Sequence, residues 1–244
     1  MLATFCVRLA LGLLASLLFL SPKQLHPRFF RTHCLTALAL LAGATFAGWK
    51  EAPLWERTAL AVAAVLALLA ALSWTLDPAP GGRALVIVTA LTAAFSLWRP
   101  GDWRAPAYFV ADLTSAAFLG ASLTAMLIGH SYLISPGMAL TPLMRLLAAL
   151  FVTVLLRAIV SGAGLWCWTV EVGSVNLNDE VVLWLPVRWL AGIIAPLGFG
   201  WMAYASARIR STQSATGILY VVVVCGFLGE LMSLLLTRQT GWPL

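Results

Sequence analysis

The sequence predicts an all-α fold, a polytopic transmembrane bundle of about eight spanning helices, with six as the smaller alternative and no soluble domain. Three observations predict it. Hydrophobic residues make up 61% of the 244 positions and charged residues only 10%, where a soluble domain has about 45–50% and about 25%. The apolar residues are gathered into eight runs, several of them near the roughly 20 residues that a helix needs to cross the hydrocarbon. Polar, Pro- and Gly-rich connectors divide the runs. One soluble core could not hide this much apolar surface, whereas lipid accepts it and requires the backbone to satisfy its own hydrogen bonds.

The runs are taken in order. Residues 2–20 form the first; nothing basic precedes it and Ser21-Pro22-Lys23 follows in place of a small-x-small cleavage site, so it is read as a retained helix. The connector 21–32 carries two prolines and the basic residues Lys23, Arg28 and Arg31. The second run, 34–49, is short. The third, 58–76, stops at the breaker cluster Asp77-Pro78-Ala79-Pro80-Gly81-Gly82. The fourth, 84–98, is short again and stops at Arg99-Pro100-Gly101-Asp102. Short runs fit tilted neighbours or re-entrant segments. The fifth and sixth, 106–129 and 142–168, flank the uncharged stretch 131–141 with Pro136. An acidic connector, 169–182 with Glu171, Asp179 and Glu180, leads to the seventh run, 183–207, which Pro186 and Pro196 should kink. The polar segment 208–217 precedes the eighth run, 217–237, and its Ser and Thr residues suit a helix N-cap. The whole, 1–244, reads as one integral membrane domain, without an evident internal repeat.

The net charge is +6. The basic residues sit at run ends and form no stripe interleaved with aromatics, so the expected partners are the lipid bilayer and other membrane subunits, not nucleic acid. With the N-terminus outside, cytoplasmic connectors hold Lys23, Arg28, Arg31, Arg83, Arg145, Arg208 and Arg210, and external ones hold Lys50, Arg57, Arg99, Arg104 and Arg238. That bias favours both termini external. The Ala- and Leu-rich composition suggests a bacterial inner membrane. Trp49, Trp55, Trp98, Trp103, Trp168 and Trp184 stand at run ends, where indole suits the headgroup layer. Cys6, Cys34, Cys167 and Cys225 make no C-x-x-C pair, which argues against a disulfide framework or thiolate metal site.

Five charges fall inside the runs: Arg8, Asp112, Arg157, Arg188 and Glu230. Charge in hydrocarbon is unfavourable unless it is paired, turned inward or part of a pathway. Because the helices alternate in direction, all five fall in the same half of the bilayer. The structural reading is a buried network tying the later helices together. The functional reading is a polar cavity for an anion, a quinone or a proton.

The histidines, His26, His33 and His130, fall on the opposite side. His33, His130 and the neighbouring Tyr132 are candidates for a haem or quinone site near the membrane surface. The alternatives are a basic interfacial connector for His26 and His33, and a helix C-terminal cap or interhelical hydrogen bond for His130. No Walker A sequence, nucleophile elbow, H-E-x-x-H, acidic filter or voltage-sensor arginine series occurs, so catalysis by this chain alone has little support. Three functions remain open. One is a subunit of an energy-transducing or electron-transfer complex; another is a small secondary transporter with its site in the outer half; the third is a scaffold or assembly protein without a ligand.

Overall fold

The computed structural model describes residues 1–48, 52–76, 79–134, 137–173 and 180–244. Trp49, Lys50, Asp77, Pro78, Pro136 and Asp179, singled out above, lie outside the described residues. Eight helices account for most of the rest: α1 Leu2–Leu17, α2 Pro27–Gly48, α3 Leu54–Ser73, α4 Gly82–Phe95, α5 Ala105–Ile134, α6 Thr141–Val172, α7 Glu180–Arg208 and α8 Thr212–Thr240. Six of these, all but α1 and α4, are long and apolar enough to cross a membrane.

The helix edges correct several expectations. The short second run grows backwards to Pro27 and becomes a 22-residue helix. Pro27 lacks an N–H and has its φ preset, which suits a first helical position. Arg28, Arg31 and His33 therefore belong to α2 and not to a connector. The first run gives a helix of only 16 residues, followed by tight turns through Leu20. Short as it is, α1 is an inner helix: Val7, Leu9, Ala10, Leu11, Leu13 and Leu14 are all buried, so it has no lipid face there. The fourth run remains short, at 14 residues. The fifth extends through Ile134, which takes His130 and Tyr132 into α5. Trp168, expected at an interface, is buried because α6 continues to Val172.

The helices close into two rings. In the first, α1 packs on α2, α2 on α3, α3 on α4 and α4 back on α1. In the second, α5 packs on α6, α6 on α7, α7 on α8 and α8 back on α5. The main seam between the rings is α1 against α5. It is unusually close. A Cβ built on Gly12 would overlap the Ala116 carbonyl, and one on Gly120 would overlap the backbone of Gly12. Small residues at a crossing let backbones touch, which is how helices associate where lipid competes for apolar contact.

The outer faces carry large apolar side chains, among them Leu91 (65% exposed), Ile159 (67%) and Val224 (66%). Water would not tolerate so continuous a surface, whereas hydrocarbon matches it. The chain is an integral membrane helical bundle.

Candidate functional site

Arg8, Asp112, Arg157, Arg188 and Glu230 meet in one connected cluster, each no more than 2% exposed. Their helices are α1, α5, α6, α7 and α8, so the cluster spans the seam between the rings. Glu230 is at its centre. Its Oε1 accepts from Arg157 Nε at 2.9 Å and from Arg188 Nη2 at 3.2 Å. Its Oε2 accepts from the Ser115 hydroxyl at 2.5 Å and has Arg8 Nη1 at 3.6 Å. Arg8 turns its Nε to Asp112 Oδ1 at 2.7 Å and its Nη1 to Ser115 at 3.3 Å. Asp112 Oδ2 has Arg99 at 3.9 Å, a half-exposed cation on the rim.

Three serines complete the arrangement. Ser115 links Glu230 to Arg8, donating to the carboxylate and accepting from the guanidinium, Ser161 accepts from Arg188 Nη2 at 3.0 Å, and Ser233 accepts from Arg157 Nη2 at 2.5 Å. Sequence reasoning passed over them. The signal was there: Ser115 follows Asp112 by three residues, Ser161 follows Arg157 by four, and Ser233 follows Glu230 by three. At those spacings side chains share a helix face.

Local structure positions Arg188. Between Trp189 and Ala195 helix α7 loosens into a π-turn, Leu190–Ile194, where the Ala195 N–H reaches Leu190 O. Pro196 follows and has no N–H to offer, so the disturbance falls where a helix must already adapt. Gly192 in the turn lies directly on Gly229 of α8, and a Cβ on Gly192 would displace the Arg188 guanidinium. This close approach sets Arg188 beside Glu230, one residue from Gly229. The second proline, Pro186, remains inside the helix.

The histidines are at the other end. Asp112 and His130 both lie on α5, about 27 Å apart along its axis at about 1.5 Å per residue. A cavity of about 450 Å³ is lined by His26, His33 and His130, with Arg28, Leu25, Leu127 and Met138 among its other walls. His33 is buried on α2; its Nδ1 lies 2.9 Å from Phe29 O and its ring lies against Phe29, centroids 4.2 Å apart. A carbonyl only accepts, so Nδ1 carries the hydrogen and Nε2 carries a lone pair. That Nε2 is buried without a hydrogen-bond partner among the described residues. His26 Nδ1 accepts from the Arg28 backbone N–H at 3.1 Å. His130 is exposed one turn before the end of α5, and so does not stand at the helix end where a C-cap was expected.

Tyr132 does not join this group. It is buried, and its hydroxyl donates to Ala139 O. The expected N-cap of α8 also differs: Ser211 holds the cap position, but its hydroxyl donates to Ser214 and not to a backbone group. No protein-family model, curated protein or solved structure matches the chain.

Proposed function

We propose that the chain is a membrane subunit of a larger energy-transducing or electron-transfer assembly, and that its histidine cavity holds the ring headgroup of a quinol-type lipid. The observation that carries this reading is the cavity itself. Its volume is that of a small-molecule site. It gathers all three histidines of the chain beside apolar walls, near the start of α2 and the end of α5, where a headgroup would sit with its tail in the bilayer. His33 offers a buried lone pair already oriented by Phe29. A hydroxyl-bearing ring donates to such a nitrogen. A haem iron would use the same lone pair, since an imidazole whose other nitrogen bonds a carbonyl is preset as a ligand.

The buried cluster supports the structural half of the reading. Its carboxylates face arginines from several helices and solvent does not reach it, as befits a device that fixes register. The run-end arginines favour the histidine end as cytoplasmic, with both termini outside a bacterial-type inner membrane.

The test is extraction in mild detergent, then mass spectrometry and a visible spectrum of the intact particle. Stoichiometric partner subunits with bound quinone or a haem band support the proposal. Binding of a short-tailed quinol, followed by quenching of tryptophan fluorescence, should weaken at least tenfold in His33→Ala. A bare, colourless chain that ignores the quinol would sink it.

A further inference from the structure

The residues after α8 fold back over the charge cluster. Gly241, with φ at 71°, turns the chain out of the helix. Its carbonyl accepts from the Tyr108 hydroxyl at 2.5 Å and from Arg104 Nη1 at 3.0 Å. The Arg104 guanidinium lies 5.0 Å from the Trp103 ring and 4.6 Å from the Trp242 ring, and its Nη2 meets Glu171 at 2.7 Å. Trp242 Nε1 donates to the same Glu171. Pro243 O rests on Gly164, where a Cβ would overlap it. Leu244, 1% exposed, reaches the arginines: its main-chain oxygen accepts from the Ser233 hydroxyl, from Arg157 Nη2 at 3.3 Å and from Arg188 Nε at 3.5 Å.

The cluster beneath leaves donor groups unsatisfied. Among the described residues, three buried arginines face the side-chain carboxylates of Asp112 and Glu230, and two of them, Arg157 and Arg188, also face the Leu244 oxygen. Arg157 Nη1 and Arg188 Nη1 are buried with no hydrogen-bond partner among the described residues. A buried guanidinium N–H group without an acceptor is unfavourable until one joins it.

We propose that Arg157, Arg188, Ser161 and Ser233 form a binding site for a small carboxylate, which residues 241–244 cover as a strap. The Leu244 oxygen stands where one oxygen of the carboxylate binds. The ligand class follows from the donors: two guanidinium groups converge on one point, and planar carboxylates match such forks. The site lies at the far end of the bundle from the histidine cavity and does not depend on it.

Two variants uncover the site differently. One ends the chain at Thr240. The other, Gly164→Ala, keeps every residue but puts a methyl where Pro243 O rests. Each is purified in detergent, and its melting temperature is followed against sodium acetate, with sodium chloride at equal ionic strength as the reference. The proposal expects a saturable rise of several degrees with acetate in both variants, no such rise in the parent chain, and its loss when Arg188→Gln is added. Acetate-insensitive variants that fold overturn it. So does a parent chain that responds equally. If the shortened chain fails to fold, Gly164→Ala decides by the same criteria.

Discussion

At the scale of single residues, the cluster distinguishes central groups from peripheral ones. Glu230 accepts from arginines on two helices and from Ser115, and has a third arginine close by. Removing its charge leaves buried guanidinium groups uncompensated, which costs about 3–5 kcal/mol. Glu230→Gln should therefore lower stability by about that amount in denaturant unfolding of the detergent-solubilised protein. Asp112→Asn should cost less, because Asp112 serves one buried arginine and a rim arginine. Equal and small losses at both positions would mean that the charges are not coupled as described. The five charged residues were legible in the sequence because hydrocarbon makes every charge conspicuous. The serines were not, since a serine in a helix is usually satisfied by its own preceding turn. Ser16 is such a case, donating to Gly12 O at 2.8 Å.

At the scale of elements, close crossings do the positioning. The α1–α5 seam depends on Gly12 and Gly120, and the backbone atoms that a methyl would strike cannot swing aside as a side chain can. Gly12→Ala should cost more than the roughly 1–3 kcal/mol of ordinary overpacking, and should lose the monodisperse peak in size-exclusion chromatography. Among the described residues, Gly43 in α2 has nothing within 4 Å of a built Cβ. There Gly43→Ala should be neutral or stabilising by up to about 1 kcal/mol, through helix propensity alone. If both substitutions behave alike, the seam is not tight. Helix edges were the least legible feature. Hydropathy marks where a chain stays apolar, whereas Pro27 starts α2 among arginines and phenylalanines, because the backbone can be helical before it reaches the hydrocarbon.

At the scale of the whole molecule, two rings with the same cyclic order of contacts meet mainly along α1 and α5. Each ring closes on itself. Residues 1–101 and 102–244, expressed as separate chains, should therefore associate into a particle of parental size, held by the glycine crossing and the Arg8–Asp112 pair. Co-purification through a tag on either fragment measures this. Fragments that never associate would show that the connection between α4 and α5 is needed to assemble the seam. The rings also explain why no repeat stood out in the sequence. A ring needs apolar length, small residues at crossings and short connectors, and many different sequences meet those conditions.

The sequence by itself determined the environment of this protein and the level of its buried charges. Composition, run length and alternating helix direction follow from the physics of a thin apolar slab, and need no tertiary contact. It also placed the histidines at the end opposite the charges, by the same parity. Only the tertiary structure decided which groups touch. The π-turn before Pro196, the glycine crossings and the return of residues 241–244 bring together side chains from α1, α5, α6, α7 and α8 with a main-chain oxygen from beyond the last helix. Periodicity along one helix carries no information about the rotation of its neighbour. Steric fit between faces sets that rotation, and so it was the fold that separated Tyr132 from the cavity and gave Ser115, Ser161 and Ser233 to the arginines and Glu230.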